Sequence, residues 1–185
     1  MKYPGEPKIE RKLHIGGEVR AEGWEVLNAV PGEHVDHLGD AKDLSKFPDN
    51  TFTSIYASHI AEHLDYKDEL EATLGEWHRV LAAEGKLYIS VPDMDMLCRL
   101  FLDKKNFNAE GRFWVMRMLF GGHQDEYDYH MVGLNQEFLA SFLFNAGFVN
   151  LHRTKSFGIF DDSSNLEFEG IPVSLNIIAE KAERK

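Results

Sequence analysis

Between residues 52 and 93 the hydrophobic period changes twice, and no other feature constrains the fold as strongly. Phe52 to Ala57 alternates at period two, as a strand does, after a Pro-Asp-Asn turn at Pro48 to Asn50. Leu70, Leu74, Trp77 and Leu81 then recur at i, i+4, i+7 and i+11 and stripe one face of a helix, with Asp65 placed as its cap. Gly85 to Val91 (GKLYISV) is a second, denser strand stopped by Pro92. A strand, a helix and a strand in succession predict a parallel pair, because the helix carries the chain back to the edge it left.

The flanking segments extend the pattern. Lys12 to Ile15, closed by Gly16-Gly17, and Trp24 to Val30, closed by Pro31-Gly32, read as strands, as does Val35 to Leu38. Asp93 is placed to cap a helix running to about Leu102. A later helix capped by Asn135 carries Phe138, Leu139, Phe142, Leu143 and Ala146 inward and ends at Gly147. Two late strands, Val149 to Lys155 and Val173 to Glu180, are separated by a stretch rich in Gly, Asp and Pro, which predicts a long loop and an antiparallel return. Residues 103–134 fit neither period. They hold an apolar run (FWVMRMLF), a Gly121-Gly122 break and a polar-aromatic cluster (HQDEYDYH), and are expected to be an insertion that works as a substrate lid. The expected fold is α/β: one Rossmann-like domain over residues 1–185, with a mostly parallel sheet, an antiparallel late strand and helices on both faces.

Length and charge narrow the function classes. The 185 residues, 43% of them hydrophobic, suit one core. A net charge of −11 opposes binding to phosphate backbones and anionic lipid, so neither nucleic acid nor membrane is an expected partner. Cys98 is the only cysteine and sits in an apolar helical run, so it reads as a buried, inert thiol in a reducing cytoplasm. The segment MKYPGEPKIERKLHIGG has no apolar signal-peptide core, nowhere do about 18 apolar residues run together, and Glu180 to Lys185 reads as a solvated end. A cytoplasmic protein is expected, with its oligomeric state left open.

The stretch from Leu38 to Leu64 locates a ligand. In open α/β sheets ligands lie outside the carboxyl ends of the strands, and here two successive strand ends carry Asp40 and Ser58-His59. Such a place suits an adenosine.

Four segments then carry a resemblance: LHIGG (13–17), GWEVLNA (23–29), GDAKDLSKFPDNTF (39–52), and IYASHIAEHL with EWHRVLAAEGKLYISVPD (55–64 and 76–93). In order and spacing they resemble the small class I S-adenosylmethionine-dependent methyltransferases. The resemblance implies S-adenosylmethionine as cofactor, with Gly16, Gly17, Asn28, Asp40, Ala41 and Ser58 around it. Gly16 and Gly17 would let the backbone approach the cofactor. Asp40 would accept from the adenine amino group, and the Ala41 N–H would meet a ring nitrogen. The family usually ends its second strand with an acidic residue that holds the ribose hydroxyls. Here that residue is Asn28, whose amide lacks charge assistance. The first motif is shortened too, and about half a dozen residues separate it from Gly23-Trp24, fewer than a crossover helix needs.

The resemblance implies methyl transfer to an oxygen or nitrogen of a small-molecule acceptor, with a sugar or envelope precursor as one class. On the acceptor side, His59 lies just past its strand, and His123, Tyr129 and His130 gather titratable and aromatic groups in the insertion, where an imidazole can act as general base. Two other readings stand beside this one. A degenerate, non-catalytic binding module would account for Asn28 and the short first motif. The pattern His59-x-x-Glu62-His63 is formally that of an inverted zinc protease, which would make a metal hydrolase. It directly follows a strand instead of lying inside a long helix, so Glu62 and His63 are expected to order the turn locally, and no metal ligand is assigned.

Overall fold

The computed structural model describes residues 10–125 and 127–183. The expectations on residues 1–9, on Glu126 of the polar-aromatic cluster and on the last two residues of the tail lie outside these. The elements are β1 (Lys12–Ile15), β2 (Trp24–Asn28), β3 (His37–Leu38), β4 (Phe52–Ser58), α1 (Leu70–Val80), β5 (Leu81–Pro92), α2 (Met94–Leu102), α3 (Ala109–Phe120), α4 (Gln136–Asn145), β6 (Phe148–Thr154), β7 (Glu167–Phe168), β8 (Ile171–Pro172) and β9 (Ser174–Lys181). Seven strands form one sheet in the order β3-β2-β1-β4-β5-β9-β6. The first five run parallel, and β9 inserts antiparallel between β5 and β6.

Period-two alternation divides each strand between two faces. Leu13, Ile15, Ile55, Ala57, Leu87, Ile89, Val91, Leu175, Ile177 and Ala179 form one buried cluster with Leu70, Leu74 and Trp77 of α1 and Leu139 and Leu143 of α4. Each Leu, Ile and Val among them contributes about 1.5–3 kcal/mol on burial. The opposite face carries a row of ring-bearing residues in register, His14 beside Tyr56 and Tyr56 beside Tyr88. The loop leading toward β7 lies over this row. Phe160 packs at 4.1 Å from His14 and 4.7 Å from Tyr56, while the Tyr56 hydroxyl bonds to Asp162 Oδ1 at 3.0 Å and Ser164 Oγ at 3.1 Å. Asp162 thus holds the buried Tyr56 hydroxyl as well as turning the loop, its Oδ1 also accepting the Ser164 N–H.

The connections 16–23, 29–36 and 39–51 contain no helix. Loop 39–51 is held from outside instead, by α1. Trp77 Nε1 donates to the Ala41 carbonyl at 2.9 Å, and Arg79 donates to the carbonyls of Leu44 and Phe47 and to Asp49. Glu76 keeps Arg79 in place through two bonds of 2.7 and 2.8 Å, and Leu44 and Phe47 plug the loop into the core.

Several boundaries differ from those the sequence suggests, each for a local reason. Strand β2 stops at Asn28, whose Oδ1 accepts the Val30 N–H and turns the chain. Asp65 organises the turn before α1, through its Oδ1 on Lys67 N–H and its carbonyl on Glu69 and Leu70, and Glu69 is the residue at the helix start. Leu81 pairs with Phe52 and so begins β5. Phe138 is 48% exposed, because α4 turns Leu139 and Leu143 to the sheet. Cys98 is half-buried, not enclosed.

The 103–134 segment contains α3, capped by Asn108 Oδ1 on the Gly111 N–H. Its sequence shows no clean helical stripe because its apolar residues lie on several faces, between Glu110, Arg112 and Arg117. Val115 packs with Leu97 and Leu100 of α2 in a second cluster, while Phe113, Trp114 and Phe120 remain exposed. Among the described residues no helix is long and apolar enough to cross a membrane.

Candidate active site

The tips of β1, β2 and β4 meet at one edge of the sheet. Gly16 adopts φ +72°, a left-handed conformation suited to glycine, and its N–H donates to the Leu27 carbonyl at 2.8 Å. Ile60 packs directly over it, so that a Cβ on Gly16 would overlap Ile60 Cδ1. Gly17 rests on the His14 ring, and a Cβ there would come within 2.6 Å of His14 Nδ1. Asn28 ties the first two loops together, with Nδ2 donating to the Gly17 carbonyl at 3.1 Å and Oδ1 accepting from Val30. Asp40 follows on the next strand end. Its Oδ1 accepts the Lys42 N–H at 2.9 Å, and more than half of its side-chain surface faces solvent. Ala41 gives its carbonyl to Trp77, while its N–H is bonded to none of the described residues. Ser58 Oγ is buried with no hydrogen-bond partner among the described residues, and so is Ser90 Oγ beside it in register.

His59 is the first residue past β4 and adopts φ +53°. Its Nε2 lies 2.9 Å from Ser174 Oγ, which donates to the Ser163 carbonyl at 2.7 Å. Since that hydroxyl proton points to Ser163, His59 must carry its own proton on Nε2. Its Nδ1 lies 3.3 Å from Glu62 Oε1, in an approach too poorly aligned for a hydrogen bond. Burial holds the His59 pKa down at about 4, helped by His130 and His63, so this imidazole is neutral near pH 7. Burial also pushes the Glu62 carboxyl up to about 8, and both its oxygens are enclosed without a hydrogen-bond partner among the described residues.

A cavity of about 250 Å³ opens beside these tips, lined by His59, Pro92 and Val173 from the sheet side and by Trp114, Arg117 and Met118 of α3. The loop after α3 closes it with Gln124, Asp128 and His130. Asp128 orders that loop by accepting from the N–H groups of Gly122 and Gln124. Burial, followed by the neighbouring His63, depresses the His130 pKa to about 4.

A family model described as a methyltransferase domain matches residues 21–89, the stretch from β2 through most of β5. This is a class I S-adenosylmethionine-dependent methyltransferase fold. Solved structures agree across nearly the whole chain. A methyltransferase from Archaeoglobus fulgidus superposes with a TM-score of 0.58 at 17% identity, over 93% of this chain and 86% of its own. A possible exported protein from Bordetella parapertussis gives 0.59 at 11% identity, over 95% of this chain and 64% of its own. The 1,6-didemethyltoxoflavin N1-methyltransferase of Burkholderia thailandensis, solved with its substrate and S-adenosylhomocysteine, gives 0.55 at 16% identity, over 94% of this chain and 72% of its own. This chain therefore spans just under two thirds of the Bordetella protein. The comparison with curated proteins returned no match.

Within this methyltransferase fold, the matched stretch begins after LHIGG, so the shortened glycine turn lies outside it. The fold brings Gly16, Gly17, Asn28, Asp40, Ala41, Ser58 and His59 to one sheet edge. Of the four acceptor-side candidates, His59 and His130 line the cavity. His123 and Tyr129 are not in its wall: their rings stack on each other at 4.0 Å, and His123 Nε2 bonds to the Phe120 carbonyl. Of the expected local bonds of Glu62 and His63, only the His63 N–H to the Ile60 carbonyl at 3.2 Å forms; among the described residues the Glu62 carboxyl has no partner, and His63 Nδ1 reaches the distant Tyr129 carbonyl at 3.1 Å. Arg117 was missed in the sequence. Its helix shows no clean apolar period, so no sequence pattern marks it.

Proposed function

We propose that this chain transfers the methyl group of S-adenosylmethionine to an oxygen or nitrogen of a small-molecule acceptor. The observation that carries the reading is the adjacency of two features at the tip of β4. Ile60 lies over the glycine turn of β1, and the preceding residue, His59, is part of the cavity wall. A cofactor at the β1–β2–β3 edge and an acceptor in the cavity would then meet across His59. Gly16 and Gly17 would admit the cofactor backbone-side, Asp40 and the open Ala41 N–H would hold the adenine, and Ser58 would face the methionine end.

The cofactor supplies an activated methyl carbon on a sulfonium, so the protein's work is to hold the acceptor's lone pair in line with it. Neutral His59, fixed through Ser174, gives a rigid wall that leaves the cationic sulfonium unopposed by a second charge. Trp114 beside Arg117, Gln124 and Asp128 pairs an aromatic plane with hydrogen-bonding groups, a lining that suits a polyol such as a sugar or envelope precursor. Residues 103–134, which build the far wall through α3 and the loop after it, would act as the acceptor lid. Calorimetric titration with S-adenosylhomocysteine tests the reading: saturable one-to-one binding is expected, and none up to millimolar concentration would overturn it.

A second reading has its own observation. Ile60 fills the space over Gly16, and Asn28 is turned back onto Gly17 and Val30, which fits a binding module that has kept the sheet and given up the cofactor. The same titration decides between them.

A further inference from the structure

The turn after β4 and the segment after α3, far apart in sequence, are stitched together by backbone. Met131 N–H donates to the Glu62 carbonyl at 2.7 Å and Val132 N–H at 3.3 Å, while His63 Nδ1 meets the Tyr129 carbonyl at 3.1 Å. This stitching brings Glu62, His63 and His130 together so that one ligand atom from each lies within 4.8 Å of the others. The two imidazoles meet edge to face at 4.9 Å.

We infer that Glu62, His63 and His130 form a binding site for a zinc-class divalent transition cation at the wall of the cavity. Three observations carry this. First, the Glu62 side chain is 1% exposed, yet among the described residues neither of its oxygens has a hydrogen-bond partner, His59 Nδ1 at 3.3 Å being misaligned. A buried carboxyl without a partner is costly, and a cation would satisfy both oxygens. Second, a carbonyl can only accept, so the bond to Tyr129 fixes the His63 proton on Nδ1 and leaves Nε2 as a free lone pair. That is the tautomer found in metal-bound histidines anchored from behind. Third, the ligands are already near the needed spacing. Bonds of about 2.0–2.1 Å in a tetrahedron place ligand atoms about 3.4 Å apart, so the separations of up to 4.8 Å must close by about 1.4 Å at most, which side-chain rotation can supply.

Two imidazoles with one carboxylate select zinc-like ions over magnesium or calcium, which prefer oxygen ligands. Three protein ligands leave a fourth position open. His130 belongs to both the cluster and the cavity wall, so that position borders the cavity. The ligand set differs from the zinc-protease pattern visible in the sequence, because His59 Nε2 is committed to Ser174 and His130 takes its place.

The test uses the full chain, stripped with chelator and titrated with Zn²⁺ alone, with metal content read by mass spectrometry after gel filtration. About one zinc per chain is expected, unaffected by millimolar Mg²⁺. Co²⁺ substitution should give the intense visible bands of a four- or five-coordinate site. His63→Gln and His130→Gln should each weaken Zn²⁺ binding at least tenfold, whereas His152→Gln, at an exposed position on β6, should leave it unchanged. Failure of the unsubstituted chain to retain zinc, equal competition by Mg²⁺, or undiminished binding in folded His63→Gln and His130→Gln would each overturn the assignment. The Co²⁺ spectrum needs no variant, so a six-coordinate, pale spectrum overturns it even if the variants misfold. S-adenosylhomocysteine is absent throughout, so the outcome is independent of the methyl-transfer reading.

Discussion

The indole N–H of Trp77 donates to the carbonyl of Ala41 at 2.9 Å, joining the centre of α1 to the loop that would receive an adenine. The ring is fully buried, so the bond fixes loop position at the cost of no mobile side chain. With Arg79 on Leu44 and Phe47, it replaces the support that a crossover helix between β3 and β4 would give. Trp77→Phe keeps much of the bulk and removes the donor. It should lower stability by about 1–3 kcal/mol, since the Ala41 carbonyl loses its partner. It should also weaken S-adenosylhomocysteine binding several-fold. Denaturant melts and calorimetry read both, and an unchanged affinity would separate loop position from cofactor binding.

Asp40→Ala should weaken the same ligand by about 1–3 kcal/mol, the range for a lost hydrogen bond to a charged acceptor. Part of the effect would come from the Asx turn that Asp40 Oδ1 makes with the Lys42 N–H. Asp40→Asn retains that turn, so comparing the two substitutions isolates the charge. Equal affinity in all three proteins would put the adenine elsewhere.

Asn28→Asp would restore the acidic residue usual in the family, but here it replaces a donor to the Gly17 carbonyl with a carboxylate facing it. The ligand-free protein should lose about 1–3 kcal/mol of stability. If the ribose binds at this strand end, S-adenosylhomocysteine should recover part of that loss by giving the carboxylate hydroxyl donors. Thermal melts with and without ligand measure it, and a variant as stable as the parent without ligand would contradict the observed Asn28–Gly17 tie.

Ile60→Ala clears the space over Gly16. If Ile60 must swing aside to admit the cofactor, the truncation should tighten binding even as it costs about 2 kcal/mol of folding stability, the low end for a partly buried Ile, through lost packing. Weaker binding by the folded variant would show that Ile60 contacts the cofactor instead of blocking it.

His14 gives a pH dependence with a definite sign. Its ring is buried against Phe160 and Tyr56, and burial lowers its pKa from 6.5 to about 4, partly opposed by Asp162. Between those values the unfolded chain binds a proton that the folded chain refuses, so acidification through this window favours unfolding. Above about 6.5 His14 has no effect, and across the window its contribution amounts to roughly 3 kcal/mol. His14→Phe should therefore flatten the fall in stability between pH 6.5 and 4, relative to the parent. Parallel curves from urea melts at several pH values would refute this placement of the ring.

Much of the fold is legible locally. The α1 stripe, the Asp93 and Asn135 caps and the β4 and β5 runs are set by nearest-neighbour sterics and burial periodicity, so they can be read from the chain before any contact is known. The same holds for the missing crossover helix after β1, since too few residues are present to build one. Helix α3 was hidden because its apolar residues point both to α2 and to solvent, which erases the period.

The candidate site divides along the same line. By itself the sequence put Asp40 and Ser58 at successive strand ends, because the turn residues that stop a strand are local signals, and the resemblance added Gly16 and Asn28; the end of β2 at Asn28 and the pairing of the strands came from the fold. Only the tertiary structure decided where the hydrogen bonds of those residues go: Asn28 to Gly17, Ala41 to Trp77, His59 to Ser174. It alone also brought His130 to Glu62 and His63 across the turn, and moved Arg117 into the wall of the cavity. Such partners are separated by tens of residues, and no pattern in a single chain encodes a contact that exists only once a common core has drawn its segments together.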